Sequence, residues 1–412
     1  MMEREAAKKL YETLPAPDRE ELWRWTNFKK VPLDRFESFE SHLNGTQANE
    51  ASRLLPVELP TGGELLYGEH ASSGRLDSAL TAQGVRLMPL TQALETHPDL
   101  VLQYLGRGFA DRQEKFLAQN DAFWNTGALF YVPKNVTISQ PILITQHYKT
   151  AGKSSFGRLL IILDEGARAT VVHYAASTEN NGVNYFNQVS EIYLQRDAQL
   201  QLVDLQNYNT QSYEMTFKRA EIGANARLTW MLDLQGGLLS KTNVETILNG
   251  PGAHAEVFGL LCGNGKQHLE LCSHTQHNTP NTSANLLIKG IADDQAHTIF
   301  QGMIRIEKGA EQTDSYMANN NLVLSDKAHA DSIPKLEIEA DTVKASHGAT
   351  IGQVDADQMF YLKTRGMEKE AAEQLLVDGF CEDVFNRITL EPIRTLMRTN
   401  FLAKRARGHD AV

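Results

Sequence analysis

A corner of small residues followed by an alternating apolar and polar run recurs through the middle of this chain. It reads EGARATVV (165–172), RDAQLQLV (196–203), GANARLTW (223–230), GPGAHAEVF (250–258) and DDQAHTIF (293–300). The shared alanines Ala167, Ala198, Ala226 and Ala253 follow one another at intervals of 31, 28 and 27 residues. Each corner is preceded by a further β-type run, such as NQVSEIYL, YEMTFKRAEI or KTNVETIL. A strand–turn–strand unit at nearly constant spacing is the pattern of a solenoid, because each coil can bury its apolar face only against the next. A β-sandwich also has short strands, but its turns come about every 8–12 residues without a repeated small corner. The spacing therefore favours a mainly β chain wound as a β-helix. Ala296, Ala310 and Ala328 come at shorter intervals, 14 and 18 residues, which reads as tighter turns near one end.

Helical patterns flank this body. DREELW (18–23) offers Asp18 as an N-cap with Glu21 three residues on, and residues 88–106 and 111–127 carry apolar side chains at helical spacing, among them Leu90, Leu94, Leu102, Leu105, Phe116 and Phe123. Residues from about 38 to 64 are rich in Ser, Asn, Gly and Pro and read as a loop. β-type sequence begins at ALFYVPKNVTISQPILITQHY (128–148). After 352 helices return: Asp355 is a candidate N-cap and Gly366 a candidate stop for DADQMFYLKTRG, and Gly379 a second stop after MEKEAAEQLLVD. In LEPIRTLMRTNFLAK, Pro392 suits the first helical position and Ile393, Leu396, Met397 and Phe401 form one stripe. Three regions follow: a helical N-terminal region (1–127), a β-helix core (128–352) and a C-terminal helical domain (353–412).

The net charge of −11 disfavours nucleic acid as the main partner, and the basic stretch RTLMRTNFLAKRAR (394–407) reads as the solvated face of a last helix. No apolar run approaches the roughly 20 residues of a membrane span, and the start MMEREAAKKLYETL lacks the apolar core of a signal peptide. With Cys262, Cys272 and Cys381 as the only cysteines, a disulfide framework is not expected, and the expected compartment is a reducing cytoplasm.

Three stretches invite a chemical reading. TAGKSSFG (150–157) ends like a phosphate-binding loop, but that motif needs glycine where His147 stands, and strand rather than helix follows; no nucleotide site is expected. LCGNGKQHLELCSHTQHNTP (261–280) gathers Cys262, His268, Cys272, His274 and His277, ligand types that suit zinc or iron, though no CxxC pair is present. His347 lies among Ala345, Ser346, Gly348 and Ala349, where strand-like sequence gives way to helix, with Asp341 and Asp355 near enough in sequence to be weighed as orienting partners. From composition alone it reads as a hinge between two regions.

Longer blocks are more specific: HTQHNTPNTSANLLIKGIADDQAHTIFQGMIRI, TDSYMANNNLVLSDKAHADSIPKLEIEADTVKASHGATIGQVDADQMFYLKTRGM and EAAEQLLVDGF, with ELWRWTNFKKVPL (21–33) adding support. They resemble the SufB/SufD family of iron–sulfur cluster assembly proteins. The form SHGAT (346–350) is similar to the SufD branch, the SufB branch having glutamate where Gly348 stands. The resemblance implies a right-handed parallel β-helix between helical regions. It implies a non-enzymatic scaffold subunit that pairs with SufB through β-helix edges, binds the ATPase SufC through its C-terminal helices, and helps assemble iron–sulfur clusters from iron shared with SufB. A homodimer through the same edges is conceivable for the chain alone. His347 falls on the histidine associated with cluster assembly, with Cys272, His274 and His277 as secondary candidates. Phe360, Tyr361, Arg365, Gly366 and Phe380 fall in the ATPase-binding region, where Phe360 and Phe380 could equally pack the helical domain. Many relatives have cysteine where Ala345 stands, so a thiolate ligand is excluded there and imidazole is left alone. The readings weighed against this one are a secreted-type β-helix enzyme acting on polysaccharide and a Cys/His metal-dependent enzyme.

Overall fold

The corner alanines are the turns of a solenoid. In the computed structural model, which describes residues 4–17, 20–38, 54–69, 73–110, 112–178 and 182–409, Ala167, Ala198, Ala226 and Ala253 are completely buried. Each accepts its place through a tight turn whose preceding residue is left-handed: Gly166 (φ 68°), Asp197 (59°), Asn225 (55°) and Gly252 (74°). Glycine tolerates that region freely, and asparagine and aspartate enter it at lower cost than other residues. Backbone bonds from Ala167 N to Asp164 O, Ala198 N to Gln195 O, Ala226 N to Gly223 O and Ala253 N to Gly250 O close the turns. The same corner on the next two coils is filled by Thr282 and Thr313, each buried and each preceded by a left-handed residue, Asn281 or Gln312.

Between corners the chain runs as strands that alternate between two sheets. One sheet contains β1 (Glu37–Ser38), β4 (Arg86–Pro89), β5 (Thr126–Val132), β7 (Lys153–Leu163), β9 (Tyr185–Leu194), β11 (Tyr213–Ile222), β13 (Leu239–Leu248), β15 (His268–His277), β17 (His297–Ile306) and β19 (His329–Ile338). The other contains β2 (Gly63–Gly68), β3 (Ser73–Leu76), β6 (Ile142–Tyr148), β8 (Arg168–Ser177), β10 (Gln199–Asn207), β12 (Arg227–Leu234), β14 (His254–Gly263), β16 (Ser283–Ala292), β18 (Asp314–Val323) and β20 (Lys344–Gly352). Apart from the antiparallel pairs β2–β3 and β4–β5, neighbours are parallel, giving a parallel β-solenoid of about eight turns. The expected β-helix is what the chain forms. The shorter intervals at Ala296, Ala310 and Ala328 are not tighter coils: Ala296 and Ala328 precede β17 and β19, at the opposite corner from Ala253, and lie a full coil of 32 residues apart.

The helices are α1 (Arg4–Thr13), α2 (Ser78–Ala82), α3 (Leu90–Thr96), α4 (Pro98–Tyr104), α5 (Lys115–Phe123), α6 (Ala356–Thr364), α7 (Lys369–Phe385) and α8 (Glu391–His409). The sheets enter the chain earlier than the 128 boundary, because β2, β3 and β4 from the N-terminal region extend both sheets at one end. Asp18, proposed as an N-cap, lies outside the described residues. Asp355 does cap α6, its Oδ1 accepting from the N–H groups of Asp357 and Gln358, and Gly366 follows with φ 89°. Gly379 stops nothing: α7 runs through it to Phe385, because Val377, Cys381, Val384 and Phe385 keep one face buried on the sheet. Pro392 sits one residue inside α8, and the expected stripe of Ile393, Leu396, Met397 and Phe401 is buried.

Three apolar clusters hold the layers together. Between the sheets, Val171, Leu202, Trp230, Val257, Leu286 and Met317 lie in register on successive coils and form a continuous column. Outside one sheet, α7 and α8 pack on Val203, Met231, Phe258 and Leu260; outside the other, Trp23, Phe116 and Trp124 pack on Leu160, Tyr193 and Phe217. The interior is not wholly apolar. Asp204 accepts from Lys218 Nζ at 2.5 Å and from His173 Nδ1 at 3.0 Å, all three buried. Burial alone would raise the Asp204 carboxyl, but the Lys218 and His173 contacts outweigh it and hold the group well below the usual carboxylate range. Its stabilising contribution is therefore present above a carboxylate's ordinary pKa of about 3.9 and is lost as pH falls toward the lowered folded value.

Removing Lys218 strands a buried carboxylate. Lys218→Met should lower stability by about 3–5 kcal/mol in urea denaturation, and Asp204→Asn in the same chain should recover part of it. Acid unfolding of Lys218→Met should also begin at higher pH than in the parent, since Asp204 then protonates earlier.

Candidate functional site

The last coil is where the hydrogen-bonding pattern stops. β19 pairs only with β17, and β20 only with β18, among the described residues. Each therefore presents one edge of unpaired backbone N–H and C=O groups. Such an edge templates another strand unless something blunts it. Pro334 and the charges of Lys335, Glu337 and Glu339 guard β19, whereas β20, KASHGATIG, carries one charged residue, Lys344. Burial falls with the pairing: Met317 on β18 is 1% exposed, while most of β20 is open to solvent.

Register places His347 on this end. It is the partner of Met317, which is the partner of Leu286, so His347 stands as the next member of the interior column. A coil laid on β20 would enclose it; without one it is exposed. Ala345, two residues earlier on the same face, packs partly against the interior cluster. Gly348 faces the other way, where an added Cβ would come within 3.2 Å of the Tyr316 hydroxyl, so a larger residue there would have to displace that ring. Of the two carboxylates weighed for orienting His347, that of Asp355 is committed to capping α6. The arrangement is one solvated imidazole at the mouth of a solenoid.

The Cys/His group of 262–277 does not converge, and among the described residues no three His, Cys, Asp or Glu side chains form a metal cage. Cys262 lies on β14 under the C-terminal helices. Cys272 lies on the outer face of β15, its thiol 3.2 Å from Lys241 Nζ and 3.3 Å from Glu270 Oε1, and burial pushes its pKa up. His274 shares that face beside a cavity of about 330 Å³, and burial lowers its pKa. His277 points inward, 2.8 Å from Thr282 and 3.1 Å from Ser315, with its pKa lowered to about 4 by burial. Alternation along β15 separates Cys272 and His274 from His277, a consequence of the two-residue strand period.

The C-terminal candidates divide. α6 buries none of its residues; Phe360 is 70% and Tyr361 56% exposed, and the Arg365 guanidinium lies 5.1 Å from the Tyr361 ring centre. Phe360, Met359, Val354 and Leu324 line a cleft of about 450 Å³ between α6 and the end of β18. Phe380 is different: it packs against the apolar cluster under α7, beneath Lys289 Nζ at 4.7 Å. Gly366 supplies the turn after α6. Exposed aromatics on an otherwise unpacked helix mark a surface shaped for contact.

Known proteins match most of this chain. A family model described as SUF system FeS cluster assembly, SufBD core domain, matches residues 145–380, and one described as SufBD protein N-terminal region matches residues 3–144. The iron–sulfur cluster assembly protein SufD of Bacillus subtilis is 29% identical over 388 residues, covering 92% of this chain and 88% of that protein. Iron–sulfur cluster assembly SufBD family proteins of Staphylococcus saprophyticus and Staphylococcus epidermidis are 25% and 26% identical over 381 residues, covering 92% of this chain and 79% of theirs.

All three cysteines are buried, and burial raises the Cys272 thiol further from reaction. Iodoacetamide at pH 8 should leave Cys262, Cys272 and Cys381 unmodified in the native protein and label all three in urea, read by peptide mass spectrometry.

Proposed function

The chain belongs to the SufBD family of the SUF system for iron–sulfur cluster assembly, and from that premise we propose that it is a SufD-type scaffold subunit rather than an enzyme. The observation that carries this reading is His347 at the end of an interior column, on a terminal coil whose edges lack a partner strand. A SufB-type β-solenoid stacking on β19 and β20 would satisfy the open backbone groups and enclose the imidazole between two chains. Iron and sulfide are then cargo assembled at a shared site, to which this side contributes a neutral imidazole, a competent iron ligand. Ala345 leaves no thiolate in the neighbouring position of the same strand face. A second copy of this chain is the alternative occupant of the same edges when the SufB-type partner is missing.

The exposed face of α6, with Phe360, Tyr361 and Arg365, is proposed to dock a SufC-type ATPase, which would supply the nucleotide site. Because α6 follows β20 after a short connection, force applied by that ATPase has a short covalent route to the cluster end. No helix among the described residues is long and apolar enough to cross a membrane, and the proposed compartment is the cytoplasm.

His347 is exposed, so His347→Ala should change the unfolding free energy by no more than about 0.5 kcal/mol, the range of ordinary surface substitutions, yet abolish maturation of iron–sulfur enzymes in cells that depend on this chain. Normal maturation in that variant would return His347 to a purely structural place. Phe360→Ser with Tyr361→Ser should weaken co-purification with a SufC-type ATPase at least tenfold while SufB-type pairing persists; unchanged retention of the ATPase would refute the docking face.

A further inference from the structure

Three histidines that share no motif come into line on successive coils. His268, His297 and His329 open β15, β17 and β19 and are register partners. Parallel neighbours about 4.8 Å apart put their side chains on one face, and the ring centres lie 5.3 Å apart for His268–His297 and 6.1 Å for His297–His329. They stand on the outer face of the sheet that residues 21–26 cover, away from His347, which belongs to the other sheet.

The first two rings are held by partners on one nitrogen only. Lys241 faces Glu270, and although burial alone would raise the Glu270 carboxyl, that contact keeps it ionised. Thr26 donates its single hydroxyl proton to this carboxylate. Thr26 Oγ1 can therefore only accept from His268 Nε2, 2.9 Å away, which leaves His268 Nδ1 with its lone pair. Burial lowers the His268 pKa to about 4, so the ring is neutral near pH 7. His297 repeats the arrangement, donating from Nε2 to Asp331 Oδ2 at 2.6 Å and offering Nδ1 when neutral. A ring nitrogen bound to a hydroxyl or carboxylate partner while the other is free is the way proteins orient metal-ligating imidazoles. Two imidazoles bound to one ion at about 2.1 Å, at a tetrahedral angle, place their ring centres about 5 Å apart, close to the spacing here.

We propose that His268, His297 and His329 form a binding site for a borderline first-row divalent cation of the Zn²⁺ or Fe²⁺ class. His268 and His297 are the oriented pair, and exposed His329 turns in to complete the site, since the three do not form a finished cage as they stand. Asp331 supplies negative charge behind the His297 ring, and Glu270 and Lys241 neutralise each other. The site is separate from the cluster-scaffold reading, because its histidines lie on β15, β17 and β19 and none is His347 or a residue of β20.

The test is titration of the full-length, chelator-stripped protein with Co²⁺ followed by visible absorption, and with Zn²⁺ by calorimetry. One saturable equivalent is expected, with affinity at least tenfold weaker in His297→Ala and in His329→Ala, and unchanged in His347→Ala. Both tested rings are partly or fully exposed, so folding should survive, and circular dichroism of each variant confirms it. Absence of stoichiometric binding, or binding that persists unchanged in the His297→Ala, His329→Ala double variant, would overturn the proposal. Loss of binding in His347→Ala alone would place the metal at the cluster end instead. Failure of partner pairing would leave this result untouched.

Discussion

Everything in this molecule depends on one coil hydrogen-bonding to the next. A parallel strand in a solenoid satisfies its backbone only through neighbours one turn before and one turn after, and its apolar face only against the stacked residues of those turns. The N-terminal region meets that need at one end, where β2, β3 and β4 extend and cap the two sheets. At the other end β19 and β20 are left with open edges. The end of the stack is thus a row of unsatisfied backbone groups, the surface on which the proposed partner would stack.

The interior column shows how such an end becomes specific. From Val171 to Met317 the column is apolar and sealed, and the next position is a histidine. A purely apolar residue there would make the end sticky toward any strand. An imidazole placed in the same register keeps the open end polar in the free chain, and under the proposed reading it would become a ligand once covered. Polar groups elsewhere in the lumen are treated differently, with Asp204, Lys218 and His173 fully paired, because no later partner will reach them.

The two flanking helical layers do different work. The N-terminal segment locks onto its sheet through Trp23 and through Lys241, whose ammonium reaches Leu22 O, Glu270 and Cys272 together. Burial raises the Cys272 thiol away from reactive chemistry despite the neighbouring Lys241 ammonium, and Thr26, bonded to Glu270, orients His268. The C-terminal layer seals its sheet with α7 and α8 but buries no residue of α6, so the two most exposed aromatics among the described residues, Phe360 and Tyr361, lie on the helix next to the open coil.

Local chemistry along the sequence determined a good deal: the coil period in Ala167, Ala198, Ala226 and Ala253, the left-handed residues that precede them, the Asp355 cap, and the buried stripe of α8. These depend on neighbours within a few residues, where φ, side-chain size and capping act directly. Resemblance of whole blocks added His347. Tertiary structure decided what pairs with what. It sent Cys272 and His277 to opposite faces of β15, carried α7 through Gly379 by burying the residues around it, and divided Phe360 from Phe380. It also assigned Ala296 and Ala328 to the second corner, and so brought His268, His297 and His329 into one row. Their separations of about one coil were legible in the sequence, but a separation names no face. Only the register of strands some thirty residues apart selects the face, and that register is set by the packed interior rather than by any local run of residues.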